Sequence, residues 1–481
     1  MIRRLDATTA PAALLPSFDR RRLRPRILHI GPGAFHRAHQ VPATDAANAA
    51  WGDWGIAGLS LKSDRLARAL TPQDGLYTLV ARDMEGCDLG LCASLLSVRG
   101  PSQEKSSSNW LDGIFLSVPL AIVSLTVTEK GYCARDRSLD LDHPDIAADL
   151  RGEAPPQSAV GLIARGLAAR HRHGLPPLSI MSCDNLPANG ALLRDLVLAF
   201  AAEVDDRLAA WIAAEVAFPA SMVDRITPAT TDALLREVTE AHGLHDAAPV
   251  VAERYSAWVI EDRFAGDRPA WERGGARIVA DVAPFEAMKL RMLNGTHSLL
   301  AYAGALAGHE LTRDAVADPA LAALARAHLA AAAATLPPVP GVETAAYAEE
   351  LLQRFANPAL GHRTAQIAID GSQKLPQRIF APALETLQRG GSPATYSFAT
   401  ASWMHWIEQT GPVIDDPRAA ELHAAVAGAA ADDAVARFST LADLIPSDLA
   451  AAPTWRQTVA ADLAALRGGG MAATLAKRRW A

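Results

Sequence analysis

The chain has 481 residues, of which half are hydrophobic and 21% are charged, a composition that excludes a largely disordered protein. At about 150 residues per domain, this length predicts two to three domains. The formal net charge of −7 gives no electrostatic basis for nucleic-acid binding. Four cysteines are too few for a disulfide scaffold, and their spacing predicts no metal site.

The sequence has no apolar run of about 18 residues for a transmembrane helix, and its start lacks the apolar stretch of a signal peptide. We therefore expect a cytoplasmic protein without a membrane or nucleic-acid partner. Its partner should be a small-molecule substrate, and it should be a monomer or a small homo-oligomer.

The first 283 residues alternate short apolar strands with helical patterns. The predicted strands are 27–30, 120–127 and 178–181, and two of the helical patterns between strands are 157–173 and 191–216. Apolar runs of this length are typical of strands that are buried on both faces. The alternation predicts an α/β domain with a doubly wound parallel sheet.

From residue 284 the sequence becomes rich in alanine and leucine with helical spacing, which predicts a mostly α-helical domain over 284–481. Proline and glycine clusters at 337–341 and 390–391 divide this domain into helical blocks. The alanine-rich stretch 321–335 has the spacing of a packed helix rather than of a disordered segment.

A glycine-rich turn follows the first predicted strand. Backbone N–H groups at Gly31 and Gly33 can hold a pyrophosphate at the start of a helix. The third glycine of the usual fingerprint is absent, with His36 in its place, so an ordinary strand–helix turn fits equally well.

Further along the chain, Asp64 is the acid available to accept the ribose hydroxyls of the coenzyme. The neighbouring Lys62 and Arg65 can instead bind a 2′-phosphate.

The strongest local signal is the stretch 284–302. A proline followed by no helix breaker except a single glycine predicts one continuous helix. At about 100° per residue, Lys289, Glu286, His297 and Asn294 fall within an arc of about 140° together with leucines. Such polar groups are costly to bury unless each has a partner. The alternative to a face that carries chemistry is a helix-packing face on which these polar residues are incidental.

The chemistry of this face is coherent. A lysine packed among leucines loses hydration, which favours the neutral amine and makes Lys289 a plausible general base. Asparagine amides stabilise an alkoxide, and histidine hydrogen-bonds a neighbouring hydroxyl. Asn185 follows the strand 178–181, where strand ends face the ligand crevice, although an asparagine in a turn is equally ordinary. None of the six tyrosines has a lysine four residues later, so the Tyr-x-x-x-Lys pair of a short-chain dehydrogenase is absent from the sequence. The sequence also lacks the Cys/His set of a zinc-dependent dehydrogenase. If hydride transfer takes place here, lysine is therefore the expected base.

Several motifs together resemble the mannitol dehydrogenase family, the polyol-specific long-chain dehydrogenases, over nearly the whole length. They are Gly31-x-Gly33-x-Phe35-His36-Arg37-Ala38-His39-Gln40, Thr126-Val127-Thr128-Glu129-Lys130-Gly131-Tyr132, Ser182-Cys183-Asp184-Asn185, Met222-Val223-Asp224-Arg225-Ile226-Thr227-Pro228, Trp258-Val259-Ile260-Glu261-Asp262 and Lys289-x4-Asn294-x2-His297.

The resemblance implies an N-terminal Rossmann-type domain, a mostly helical C-terminal domain and a metal-free active site between them. It makes Lys289 the general base and places Asn185 and Asn294 in the oxyanion hole. It also implies that His297 binds substrate and that Glu286 exchanges protons with solvent. The expected cofactor residues are Gly31, Gly33, Phe35, His36, Arg37 and Asp64. Asp224 is expected near the substrate, or else to fix a turn through Arg225.

Within the family, the stretch 362–378 resembles the fructuronate reductase branch. A sugar acid carries a carboxylate, and Arg363, Lys374 and Arg378 can supply its counter-charge. The alternative is that these cations are solvated or pair with helix C-termini. The expected reaction is reversible, NAD-dependent reduction of D-fructuronate to D-mannonate, with mannitol 2-dehydrogenase or another polyol (arabinitol) dehydrogenase as the alternative. Mannitol dehydrogenases tend to carry an acid at the position of Lys62, so this lysine does not exclude NADP as the coenzyme.

A cofactor-binding protein without turnover is the alternative from a different class. It predicts a damaged set of catalytic residues, and here the set of one lysine, two asparagines and one histidine is complete.

Overall fold

The computed structural model describes residues 2–83, 85–106, 109–152, 154–358 and 361–480. The chain forms two compact units, Met1–Val282 and Ala283–Ala481. Within the described residues, no helix combines the length and the apolar character needed to cross a lipid bilayer.

The N-terminal unit is built on a five-stranded parallel sheet, which confirms the predicted fold class. Its strands are β1 (Arg24–Ile30), β2 (Trp54–Leu59), β3 (Leu95–Arg99), β4 (Ile122–Leu125) and β5 (Ser179–Ser182). They lie in the order 3-2-1-4-5, and every neighbouring pair is parallel. The strand order reverses between β1 and β4, so their carboxyl ends flank the crevice in which such sheets bind ligands.

The helix Ala159–Arg172 packs one face of this sheet through Val160, Ile163 and Leu167, all fully buried. The predicted helix 191–216 is wrong at one point, because the structure has two helices, Asn189–Val204 and Asp206–Glu215. Between them Asp205 is extended, and its carboxylate accepts the Arg207 N–H at 2.8 Å. Aspartate at this position is a helix N-cap, which starts the second helix in a new direction.

Two three-stranded sheets and two short strand pairs complete the N-terminal unit. The three-stranded sheets contain Ser221–Asp224, Ala257–Glu261 and Ala276–Val279, and Tyr77–Arg82, Cys87–Cys92 and Val250–Glu253. The short pairs are Arg3–Arg4 with Leu244–His245 and Ala134–Arg135 with Ser138–Leu139. Among the described residues, the other α-helices of this unit are Ala34–Ala38, Gln40–Asn48, Arg65–Leu70, Pro101–Ser106, Asn109–Phe115, Pro144–Arg151 and Asp232–His242.

The C-terminal unit is helical, as predicted, and its described residues form no named strand. Its α-helices are Ala283–Met288, Gly295–Leu306, Thr312–Ala317, Pro319–Ala334, Thr344–Phe355, Thr364–Ile367, Gly371–Leu375, Ala381–Gln388, Ala394–Thr410, Ala419–Val426, Ala431–Ser439, Ser447–Ala451 and Pro453–Ala476. Two π-helical turns, Lys289–Asn294 and Pro376–Phe380, interrupt this pattern. Gly295–Leu306 packs on Ala394–Thr410, which in turn packs on Pro453–Ala476.

Candidate functional site

The predicted catalytic helix exists, but it is not a uniform α-helix. Ala283–Met288 and Gly295–Leu306 are α-helical, whereas Lys289–Asn294 between them form a π-turn. Hydrogen bonds in a π-turn join residues five apart, so Lys289 and Asn294 lie on the same side of the helix. The α-helical projection had separated them by about 140°. Both are buried, at 7% exposure each. The π-turn therefore brings the expected base and the expected amide donor together.

Asn294 has the geometry of an unused donor. Its Nδ2 atom is buried and has no hydrogen-bond partner among the described residues. Buried polar atoms are almost always paired in folded proteins, so an orphaned one is a candidate contact for a ligand. Glu286 lies three residues before Lys289 and is half-buried. Residues at this spacing are neighbours on a helix surface.

His297 is on the α-helix that follows the π-turn. Its Nε2 atom is also buried without a partner among the described residues. The ring lies against Phe355 and His362, with centroid distances of 5.1 and 5.4 Å. Burial, His362 and three cations lower the pKa of His297 well below its usual value. The imidazole is therefore neutral at pH 7, so it is suited to hydrogen-bonding a hydroxyl.

The cations that act on His297 are Arg378, Arg354 and Lys374. Arg378 lies in the second π-turn, and its Nη1 donates to the Ser298 hydroxyl at 3.1 Å. Burial lowers the pKa of Arg378 to about 10, so it remains charged at neutral pH. Lys374 Nζ donates to the Ile369 carbonyl at 2.7 Å. Two of the three cations expected from the sequence are thus close enough to His297 to influence it electrostatically.

Arg363 is placed differently. Its side chain is 56% exposed and pairs with Glu310 at 3.0 Å. Arg354, by contrast, is 8% exposed and was missed in the sequence. The signal was present, because Arg354 belongs to the buried face of the helix Thr344–Phe355, alongside Tyr347 and Leu351. An arginine on the apolar face of an amphipathic helix marks a buried cation.

Asn185 belongs to the N-terminal unit, where it is exposed in the loop that follows β5. The preceding Asp184 fixes this loop, because its carboxylate accepts the Val127 and Thr128 N–H groups at 3.0 and 2.9 Å and the Tyr132 hydroxyl at 2.8 Å. Asn189 fixes the other side by donating to the Asp184 carbonyl at 3.0 Å. These contacts join two of the sequence motifs and hold Asn185 at the carboxyl edge of the sheet.

The glycine-rich turn has the shape that a dinucleotide requires. Gly31 has φ +86°, and a Cβ there would collide with the Thr126 carbonyl oxygen. Gly33 is exposed, and a Cβ at this position would meet just one atom, the Gly31 carbonyl oxygen at 3.9 Å. The backbone at Gly33 is therefore open to a group that approaches closely, as a pyrophosphate does. These residues fit a nicotinamide dinucleotide.

The side chains that follow the turn pack against other residues of the N-terminal unit. His36 is buried and stacks on His29 at 3.5 Å. Arg37 is buried, and its Nη1 donates to the Ala248 carbonyl at 2.5 Å. Phe35 stacks on His39 at 5.4 Å. The side chains of His36 and Arg37 are thus buried, and the backbone at Gly33 stays open to a phosphate.

Asp64 was expected to accept the adenosine ribose, but its carboxylate is already engaged. It accepts the Ser102 N–H at 3.0 Å and also the Ser102 hydroxyl. Lys62 pairs with Asp145 at 3.0 Å. The loop after β2 therefore carries Lys62 in an exposed ion pair and Asp64 in hydrogen bonds to Ser102.

Asp224 is buried at the end of the strand Ser221–Asp224. The neighbouring Arg225 donates to the Glu253 carbonyl at 3.0 Å and to the Ala38 carbonyl. Arg225 thereby ties this strand end to the helix that follows the glycine-rich turn.

Comparisons with known proteins establish the family. The model of the mannitol dehydrogenase Rossmann domain matches residues 25–273, and that of the mannitol dehydrogenase C-terminal domain matches residues 281–467. The chain belongs to the mannitol dehydrogenase family. The resemblance found in the sequence is thus confirmed. As a member of this family the protein is an oxidoreductase that acts on CH–OH groups of polyols or sugar acids.

Relatives within the mannitol dehydrogenase family differ in their named substrates. D-mannonate oxidoreductase of Escherichia coli (strain K12) is 43% identical over 446 residues, which cover 90% of this chain and 91% of that protein. A mannitol 2-dehydrogenase of Phaeosphaeria nodorum is 37% identical, over 85% of this chain and 74% of that protein. The solved ternary complex of Pseudomonas fluorescens mannitol 2-dehydrogenase with NAD and D-mannitol has a TM-score of 0.85 and 33% identity. It covers 98% of this chain and 99% of that chain.

Proposed function

We propose that this protein catalyses reversible hydride transfer between NAD(H) and a sugar acid, reducing D-fructuronate to D-mannonate. One observation carries the choice of a sugar acid. Arg378 is half-buried, acts on His297 and, among the described residues, pairs with no carboxylate. Lys374 also acts on His297, although three carboxylates already act on its charge, those of Asp370, Asp415 and Asp416. A cation removed from water is costly unless an anion balances it. A substrate carboxylate would supply that anion, whereas a neutral polyol would not.

The proposed chemistry follows from the residues of the catalytic helix. In the oxidative direction Lys289 takes the proton from the secondary hydroxyl of the substrate. Asn294 donates its unpaired Nδ2–H to the oxygen as negative charge develops, and Asn185 is proposed as the second donor. His297, held neutral, hydrogen-bonds a neighbouring hydroxyl and orients the substrate. Glu286 is proposed to pass the proton from Lys289 to solvent.

The nicotinamide ring, when bound, supplies the hydride acceptor or donor. The open backbone at Gly33 is proposed to hold the pyrophosphate. NAD is favoured as the coenzyme, since a similar solved structure contains NAD. Lys62 is the residue that would favour NADP, because its ion pair with Asp145 is exposed and can exchange for a phosphate. A catalytic efficiency higher with NADPH than with NADH would contradict the choice of NAD.

Mannitol 2-dehydrogenase is the second candidate, because enzymes of that name are 36–39% identical to this chain. Initial rates with fructuronate, fructose, mannonate, mannitol and arabinitol, each with both coenzymes, separate the two. The proposal expects the highest catalytic efficiency with fructuronate and mannonate. A wild-type enzyme with a higher catalytic efficiency for fructose or mannitol would contradict the proposal.

A further inference from the structure

A group of potential metal ligands lies in the N-terminal unit and includes no residue proposed for catalysis. Cys133, His143 and Asp145 each place one ligand atom so that all three atoms lie within 4.8 Å of one another. The ligands are ten and two residues apart in sequence, which is not a spacing that predicts a site. The fold brings them together through the strand pair Ala134–Arg135 and Ser138–Leu139.

The backbone around these ligands is fixed by hydrogen bonds. Cys133 is buried in a left-handed conformation, with φ +50°, directly after the short helix Glu129–Tyr132. The Asp140 N–H donates to the Cys133 carbonyl at 3.0 Å, and the His143 N–H donates to the Asp140 carbonyl at 3.0 Å. Asp140 thereby connects the segment that carries Cys133 to the segment that carries His143.

The donor types select the metal. A thiolate, an imidazole and a carboxylate are ligands that Zn²⁺ takes at about 2.0–2.3 Å, and three protein ligands leave a fourth tetrahedral position for water. Mg²⁺ and Ca²⁺ require oxygen ligands, so the cysteine excludes them. We propose that Cys133, His143 and Asp145 form a binding site for one Zn²⁺ ion, which ties together the chain segments around 133 and 143–145.

Two weak contacts compete with the ion. The Asp145 carboxylate pairs with Lys62, whose side chain is 75% exposed. The His143 Nδ1 atom accepts the Asp145 N–H at 3.2 Å as a helix cap. An exposed ion pair is worth at most about 1 kcal/mol, so Zn²⁺ can displace Lys62. Removal of the lysine should therefore tighten binding rather than weaken it.

Zn²⁺ titration of the untagged full-length protein against a chromophoric chelator tests the site. Wild type should take up one equivalent of Zn²⁺. Cys133→Ser, His143→Ala and Asp145→Asn should each weaken binding by at least about 100-fold, since removal of an outer partner of a ligand already costs 10- to 100-fold. Cys87→Ser, at an exposed cysteine, should bind as wild type does, and Lys62→Met should bind more tightly.

Co²⁺ gives a second measurement that reports the ligands directly. With Co²⁺ in place of Zn²⁺, wild type and Cys87→Ser should show a thiolate-to-metal absorption band in the near ultraviolet, and Cys133→Ser should lack it. Circular dichroism of each variant shows whether it is folded, and His143→Ala changes a partly exposed side chain. A wild-type protein that takes up no equivalent of Zn²⁺, or a Co²⁺ band that persists in Cys133→Ser, would overturn the proposal.

Discussion

Gly295 lies directly against the main chain of Arg378. A Cβ at position 295 would come within 3.0 Å of the Arg378 carbonyl oxygen and within 3.2 Å of His328 Nε2. Both neighbours belong to the packed interior, so neither can move far without disturbing other contacts. The absence of a side chain at 295 is what allows the π-turn that carries Lys289 to meet the π-turn that carries Arg378.

Gly295→Ala should therefore destabilise the protein, although glycine in a helix normally costs stability. Alanine gains about 0.5–1 kcal/mol from helix propensity. Overpacking of an interior contact costs about 1–3 kcal/mol, so the clash should dominate. A lower melting temperature and a reduced kcat are the expected results.

Gly468 provides the control, because it lies two residues before the kink at Gly470 in the helix Pro453–Ala476, and a Cβ there meets no atom within 4 Å. Gly468→Ala should raise the melting temperature slightly. If Gly295→Ala also stabilised the protein, the contact with Arg378 would not be tight.

Lys289→Ala should lower the rate of alcohol oxidation by at least about 100-fold, within the range that general-base catalysis supplies. Coenzyme affinity, measured by quenching of protein fluorescence, should barely change, because the lysine acts on the substrate hydroxyl. Lys477→Ala, near the C-terminus, is the control and should retain wild-type rates. Activity near wild type in Lys289→Ala at pH 7 would remove this lysine from its proposed role.

The sequence predicted the fold class and the helix that carries Lys289, because both rest on local patterns of apolar residues and glycine. It did not predict the π-turn at Lys289–Asn294. A helical projection assumes one constant period, whereas an inserted residue is stabilised by tertiary contacts such as that between Gly295 and Arg378. The relative positions of Lys289 and Asn294 therefore had to come from the structure.

The cations of the stretch 362–378 differ in their surroundings. Arg363 and Arg378 lie in one motif and are equivalent as sequence, yet Arg363 is exposed and paired with Glu310, whereas Arg378 is half-buried and bonded to Ser298. Its position after a strand favours Asp64 as the ribose contact, but the bond between Asp64 and Ser102 depends on a segment 38 residues away. Long-range pairing decides which charged side chain is free, and no local pattern encodes it.

Stability should fall at acid pH through buried histidines. Burial lowers the pKa of His328 to about 3, so below pH 6.5 the unfolded chain binds a proton that the folded protein does not. Stability therefore increases with pH through this interval, and at pH 5.5 the loss from one such histidine is about 1.4 kcal/mol. His328→Gln should reduce the difference in melting temperature between pH 7.5 and 5.5. An unchanged difference would show that folded His328 is protonated at pH 5.5.

The cations of the stretch 362–378 should differ in what they contribute to substrate binding. If the substrate carboxylate binds Arg378, Arg378→Met removes a charge-assisted hydrogen bond worth about 1.5–3 kcal/mol, which corresponds to roughly a 10- to 150-fold loss in kcat/KM for fructuronate. Reduction of fructose, which has no carboxylate, should fall much less. Lys374→Met tests the same carboxylate independently if Arg378→Met folds poorly.

Arg363→Ala is the matched control, because Arg363 belongs to the same motif but is exposed and already paired with Glu310. It should leave the ratio of fructuronate to fructose activity unchanged. The ratio matters more than either rate, since a residue that supports only the fold would lower both activities together. If Arg378→Met and Lys374→Met lowered activity equally for fructuronate and fructose, these cations would not bind a substrate carboxylate. Arg378 and Lys374 would then give no reason to favour a sugar acid over a polyol as the substrate.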